Sequence, residues 1–269
     1  MKKFTLAIVA FAAMLFASCG GSKTQQEATD QDTTPKTFEQ AQLEAAVKMH
    51  LDSLSTQINE KQFAAIEENI KAGKIKLSNI EKKVKPMYLL SPSIVQDITS
   101  IGQKYAAMAM LKADKEVAAL YEMDVKGYEE AAAKLAADIN DPALKKAEGA
   151  TSAVEQNKVL YKEMSDEGRI NFYWILTSAA TVESLYVMSQ NVEKYCAGYT
   201  DEQIANITFR LVCIINALND LSVYDAQIQG IAEALNPLDN INATTLADFK
   251  KELQESKEKI EASRAAFLK

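Results

Sequence analysis

The sequence predicts an all-α fold, a multi-helix bundle, on three observations. Apolar residues recur at three- and four-residue steps along most of the 269-residue chain, which is the pattern of helices with one buried face. No alternating apolar and polar run of useful strand length interrupts them. Capping residues and short polar loops divide the periodic stretches, and helices joined by short loops pack as bundles. A chain of this length makes one large domain or two small ones and can bury most of its apolar surface.

Residues 1–18 stand apart from that pattern. Lys2 and Lys3 form a positive start, Phe4 to Phe16 make an apolar run broken only by Thr5, and small Ala17 and Ser18 follow. This is the layout of a secretory signal. The run is shorter than the roughly 20 apolar residues of a bilayer span, so cleavage is expected rather than anchoring by this helix. Leu15, Phe16, Ala17, Ser18 and Cys19 resemble the lipobox of bacterial lipoproteins, with Phe16 where Leu is usual and Ser18 where Gly or Ala is usual. The resemblance covers only the N-terminus. It implies cutting before Cys19, a diacylglyceryl group on the Cys19 sulfur and acylation of the new amino terminus, palmitate being one such chain. Each buried CH₂ contributes about 0.8 kcal/mol, so several chains anchor where one is marginal. Gly20 after the cysteine, rather than Asp, resembles outer-membrane sorting. The implied location is the cell envelope, on the outer membrane.

Residues 19–36, rich in Gly, Ser, Thr, Gln and Asp, read as a flexible tether, and the all-helical domain spans 37–269. Thr37 and Gln40 make a capping-box pair opening a helix to about Lys71, with Leu43, Val47, Leu51, Leu54 and Ile58 as its stripe and a polar break at 60–62. Phe63, Ile66 and Ile70 resume the stripe, and Ala72-Gly73 ends it. A short amphipathic piece is expected over Ile75 to Val84. Ser91 and Pro92 read as N-cap and first helical position of a helix to about Asp124, with Ile94, Ile98, Ile101, Tyr105, Met108 and Leu111 inward.

Gly127-Tyr128 marks a break before a helix to Asn140, and Asp141-Pro142 caps another to about Met164. Ser165 is expected to open the most apolar helix, INFYWILTSAATVESLYVM, and Thr200-x-x-Gln203 caps a second, ITFRLVCIINAL. Both are apolar on more than one face and should lie centrally. Asn171, Glu183 and Arg210 interrupt them, which favours burial in protein over a membrane span. A helix over Ser222 to Leu235 and the loop NPLDN lead to a last helix. Leu246, Phe249, Leu253, Ile260 and Phe267 form its seam, with Ser256 and Ser263 between. An internal duplication is open: Leu111, Val117, Leu120, Tyr121 and Met123 match Leu176, Val182, Leu185, Tyr186 and Met188 at an offset of 65 residues. Two helical hairpins would then pack together, with Tyr121 and Tyr186 equivalent.

The charge balance is 30 Lys and Arg against 37 Asp and Glu, net −7, spread without a long run of one sign. That argues against nucleic acid as partner and against electrostatic binding to anionic lipid, leaving the N-terminal lipid as the expected membrane contact. The only histidine, His50, excludes sites that need two. No phosphate-cradling loop, paired-cysteine metal spacing or cofactor motif is present, and no catalytic or metal residue is assigned. Cys196, at the turn of an expected hairpin, and Cys213, about a dozen residues along the return helix, fall too far apart for a disulfide, so both are expected free and buried.

Glu183 and Arg210 are the polar residues expected to be most desolvated, and buried charges require partners. The hairpin puts Glu183 near Asn216 and Arg210 near Ser189 and Glu193. They are either structural pairs or a polar spot for a ligand. Tyr121, Tyr186, Met123 and Met188, with neighbouring tyrosines, are either plain core or the lining of an apolar cavity. The leading expectation is a non-catalytic interaction or scaffold domain with a protein partner. The alternative is a binding protein for a small apolar or lipid-like molecule. Third comes an enzyme with converging carboxylates such as Asp97, Asp114 and Asp220. Beyond the lipobox, the domain is similar to helical envelope lipoproteins, a similarity that supplies no activity.

Overall fold

A computed structural model describes residues 38–61 and 65–269. The expected leader, Cys19, the expected tether, the expected cap at Thr37 and Phe63 lie outside the described residues. The fold class is all-α: among the described residues there are twelve α-helices and no strand. They are α1 (Phe38–Glu60), α2 (Ile66–Lys71), α3 (Ile101–Leu120), α4 (Lys126–Ile139), α5 (Pro142–Glu148), α6 (Ala153–Asp166), α7 (Ile170–Gln190), α8 (Val192–Tyr195), α9 (Asp201–Leu221), α10 (Ala226–Leu235), α11 (Leu246–Glu255) and α12 (Lys257–Ala266). Short 3-10 turns occupy Glu81–Lys83, Pro92–Gln96 and Asn236–Asn240.

The bundle is built around α7, which is packed by α3, α6, α8, α9, α11 and α12. Its apolar character on all sides is the reason: Tyr173, Trp174, Ile175, Val182, Leu185 and Val187 are each fully buried. Its serines and threonines survive burial by bonding back to carbonyls a turn earlier. Thr181 Oγ1 donates to the Thr177 carbonyl (2.9 Å), Ser184 to Ala180 (3.0 Å) and Ser189 to Tyr186 (2.7 Å). By length and composition α9 could cross a membrane, but most of its length is buried against α1, α7 and α10. Its N-terminus carries the expected capping box, Thr200 with Gln203.

Several expected boundaries move, each for a local reason. Ser91 does cap a turn with Pro92 at its start, but the turn ends at Gln96. The long helix begins after a second box that the sequence reading missed, Ser100 with Gln103, so Ile101 sits at an end and is exposed rather than inward. The expected piece over Ile75 to Val84 is not a helix. Ile75 and Leu77 are buried while Lys74 and Lys76 are exposed, the alternation of an extended chain. Gly127-Tyr128 lies inside the first turn of α4, the break having occurred at Glu122, whose φ is +53°. The segment after Asp141-Pro142 splits into α5 and α6 around Gly149. Arg169, not Ser165, precedes α7, because α6 runs to Asp166 and Gly168 turns left-handed at φ +70°.

Asp225, not Ser222, caps α10, its Oδ1 accepting from the Gln227 and Ile228 amides. The last helix breaks at Ser256, fully buried and bonded by Asn240 Nδ2 (3.1 Å). The seam itself is as expected, with Phe249, Leu253, Ile260 and Phe267 fully buried, each contributing roughly 1.5–3 kcal/mol by burial. A Gly-Tyr pair follows each of the two matched stretches, Gly127-Tyr128 and Gly198-Tyr199, and the pairs differ in conformation: Gly198 is left-handed at φ +79° before α9, whereas Gly127 is helical.

Residues 72–100 form an irregular strap between α2 and α3. Gly73 ends α2 with φ +67°, and Gly198 lets Lys74 lie against the turn before α9, its Cβ position 3.0 Å from the Lys74 Cβ. Ile75, Leu77, Leu90 and Ile98 are the strap's buried anchors.

Candidate functional site

A set of desolvated charged groups lies where α3, α7 and α12 meet beneath the strap. Asp114 on α3 and Glu183 on α7 are both 0% exposed. Arg264 on α12 reaches in and clamps Glu183 with both ends of its fork, Nε to Oε2 at 2.7 Å and Nη2 to Oε1 at 2.9 Å. Such bidentate geometry is what a guanidinium provides and an ammonium does not. Arg264 also lies over the Tyr186 ring, 4.2 Å from its centroid, and its Nη2 is 3.7 Å from Asp114 Oδ2.

Asp114 Oδ2 accepts the Leu90 backbone N–H at 2.6 Å, which ties the strap to the core. Burial pushes the Asp114 carboxyl well above the usual carboxylate range, and the neighbouring Glu183 pushes it further. Asp114 Oδ1 meets no donor, an expensive state for an ionised oxygen. Burial and the nearness of Glu183 both favour the protonated form of Asp114, and the fork of Arg264 is left to Glu183. The three side chains form one buried trio.

A second chain of hydroxyls runs beside it. Tyr121 and Tyr195 hydroxyls are 2.9 Å apart, Tyr195 is also bonded to the Tyr88 hydroxyl of the strap, and the Tyr88 ring meets Tyr186 edge-on at 6.3 Å. Burial pushes the Tyr88 and Tyr195 hydroxyls up, so both stay neutral donors. The strap is fastened further by Lys85 Nζ to the Tyr121 carbonyl (2.6 Å), Lys82 to Glu122 (2.7 Å) and Lys194 to Glu81 (2.9 Å).

The expected site residues divide between regions. Tyr121, Tyr186 and Glu183 come together here, with Tyr186 packed on Arg264. Met188 is buried in the same core, and Met123 is only half-buried. Glu183 pairs with Arg264, not with a group near Asn216. Arg210, buried, donates from Nε to Thr181 Oγ1 at 3.1 Å, roughly two turns from the expected Ser189. The hairpin register failed because α8 and the turn at Gly198 consume chain between α7 and α9. Asp97 is exposed, and Asp220 instead takes His50 Nδ1 at 2.5 Å near the surface, so the three carboxylates do not converge. Cys196 and Cys213 are free and buried as expected, and burial pushes the Cys196 thiol up to about 12.

Arg264, Tyr88 and Tyr195 were missed. A signal existed for the first. The chain has three arginines against many lysines, and each is used inside: Arg169 on buried Asp141, Arg210 on Thr181 and Arg264 on Glu183. Two open surface depressions, of about 610 Å³ beside Lys250 and about 510 Å³ beside Asn219, contain none of the trio or tyrosine residues. No family model, curated protein or solved structure matches the chain significantly.

Proposed function

We propose that this chain is a lipid-anchored envelope protein whose helical body is an interaction or scaffold domain, held at the outer membrane through Cys19. The lipobox-like segment ending at Cys19 supports the anchor. One structural observation favours the interaction reading. Buried Glu183 and Arg264 are spent on one another, while three of the ten large apolar side chains exposed among the described residues fall within eight residues on the strap: Ile80 78%, Val84 71% and Met87 98% exposed. Exposed apolar side chains in one place favour a contact surface. The rival reading, a pocket for an apolar molecule, would need Tyr121 and Tyr186 to line open space. Their hydroxyl and ring are instead engaged with Tyr195 and Arg264.

The anchor is tested by intact mass of the protein recovered from membranes. Loss of residues 1–18 with acyl mass on Cys19 is expected, and Cys19→Ala should leave the membrane fraction. An unmodified Cys19 thiol, or native protein in the cytosol, would overturn it. Cross-linking from Val84→Cys in intact cells tests the contact surface, and a strap that captures neither protein nor lipid there counts against it.

A further inference from the structure

The net charge of −7 conceals one oppositely charged region. Between residues 71 and 87, Lys71, Lys74, Lys76, Lys82, Lys83 and Lys85 stand against Glu81 alone. Lys82 and Lys71 are matched by Glu122 and Glu116, and Glu81 is taken by Lys194. Lys74, Lys76 and Lys83 are exposed and make no ion pair among the described residues. Ile80, Val84 and Met87, the most exposed apolar residues of this stretch, follow Lys74 and Lys76 and flank Lys83. The stretch is held at one end by burial of Ile75 and Leu77 and at the other by the Leu90 amide on Asp114 and the Lys85 and Tyr88 side chains on Tyr121 and Tyr195.

We infer that the strap docks on an anionic lipid surface, with Ile80, Val84 and Met87 entering the headgroup layer and Lys74, Lys76 and Lys83 facing lipid phosphates. The inference rests on the proposed anchor for its proximity, since a tethered domain meets the surface at high effective concentration. Eighteen residues separate Cys19 from Phe38, a contour length of at most about 60 Å against the roughly 45 Å diameter of a domain this size, so chain length from the proposed anchor excludes no face. Lysines beside a few protruding apolar side chains suit a membrane interface, where charge stays at the phosphates and the apolar tips go just below. Local charge, rather than the net charge of the chain, decides this contact.

The test uses the acylated full chain, purified from membranes and reconstituted in vesicles of neutral phosphatidylcholine or of the same lipid with phosphatidylglycerol. A polarity-sensitive dye on Val84→Cys labels one site, because Cys196 and Cys213 are buried and the Cys19 sulfur is acylated. Quenching by nitroxide-bearing lipid is expected on the anionic vesicles and weak on the neutral ones. Lys76→Ala with Lys83→Ala should lower the docked-to-free ratio about 25-fold, at about fivefold per lysine, with an unchanged unfolding midpoint. Equal quenching on both vesicles, indifference to the lysine substitutions, or cross-linking of the strap to an acidic protein without lipid dependence would overturn the inference. Flotation with neutral vesicles reads the anchor separately. Protein that fails to float there but is quenched on anionic vesicles would lose the anchor and keep the strap contact.

Discussion

Around α7, Glu183 and Arg264 face each other with two hydrogen bonds, and Asp141 takes Arg169 and the Tyr105 hydroxyl while capping α5, so buried acids meet their partners within the chain. Along residues 74–87 the opposite holds: lysines outnumber acids and apolar side chains face outward. The two regions touch through a few bonds, chiefly Leu90 to Asp114 and Tyr88 to Tyr195. The difference teaches where stability and where contact reside. The core holds groups that would be costly to leave unpaired, and the strap holds Lys74, Lys76 and Lys83, which make no ion pair among the described residues, beside exposed Ile80, Val84 and Met87.

Substitutions in the two regions should therefore differ in size and in what they change. Arg264→Met strands a buried Glu183 and should cost about 3–5 kcal/mol of stability, read by denaturant unfolding. Asp114→Asn should act mainly on pH dependence. Because the folded-state affinity of Asp114 for its proton is raised, its contribution is fully present below the ordinary value of 3.8 and is lost as pH rises toward the folded value. Native stability should thus fall from about pH 4 upward by at most about 1.4 kcal/mol per pH unit from this group. The Asn variant, whose amide can still accept from Leu90 and donate to Glu183, should lack that slope. A pH series of unfolding midpoints for both proteins checks it, and identical slopes would remove the neutral Asp114.

Ser100→Ala removes the α3 cap and half of its capping box, with an expected loss of about 1 kcal/mol by thermal or chemical melts. At the small end, Ile80→Ser, Val84→Ser and Met87→Ser should each stay within about 0.5 kcal/mol of the native protein. A larger loss at Met87, nearly fully exposed, would mean that the strap belongs to the core after all.

How much of this was legible in the sequence depends on whether the signal was local. The all-α class, the Thr200 cap, the centrality of α7 and α9 and the Phe249 to Phe267 seam follow from periodicity and capping, which are written within a few residues. The strap was misread because Lys74 to Leu77 alternates over only four residues, too short to weigh against the helical pattern around it. The partner of Glu183 was misassigned because pairing depends on how far α9 slides along α7, and that offset is set by the α8 turn and the left-handed Gly198. Arg264 lies 81 residues from Glu183, a separation that no periodicity encodes, although the scarcity of arginine pointed to it. The basic strap was hidden by averaging charge over the whole chain.

Hydrogen exchange on the protein recovered from cells, compared between membrane-bound and detergent-solubilised states as the proposed anchor requires, tests most directly the claim that the core is self-contained and the contact surface is the strap. Slower exchange over residues 74–88 on the membrane is the expected result, with α3, α7 and α12 unchanged between the two states. A strap that exchanges equally fast in both, with the change falling elsewhere on the helical body, would contradict the account.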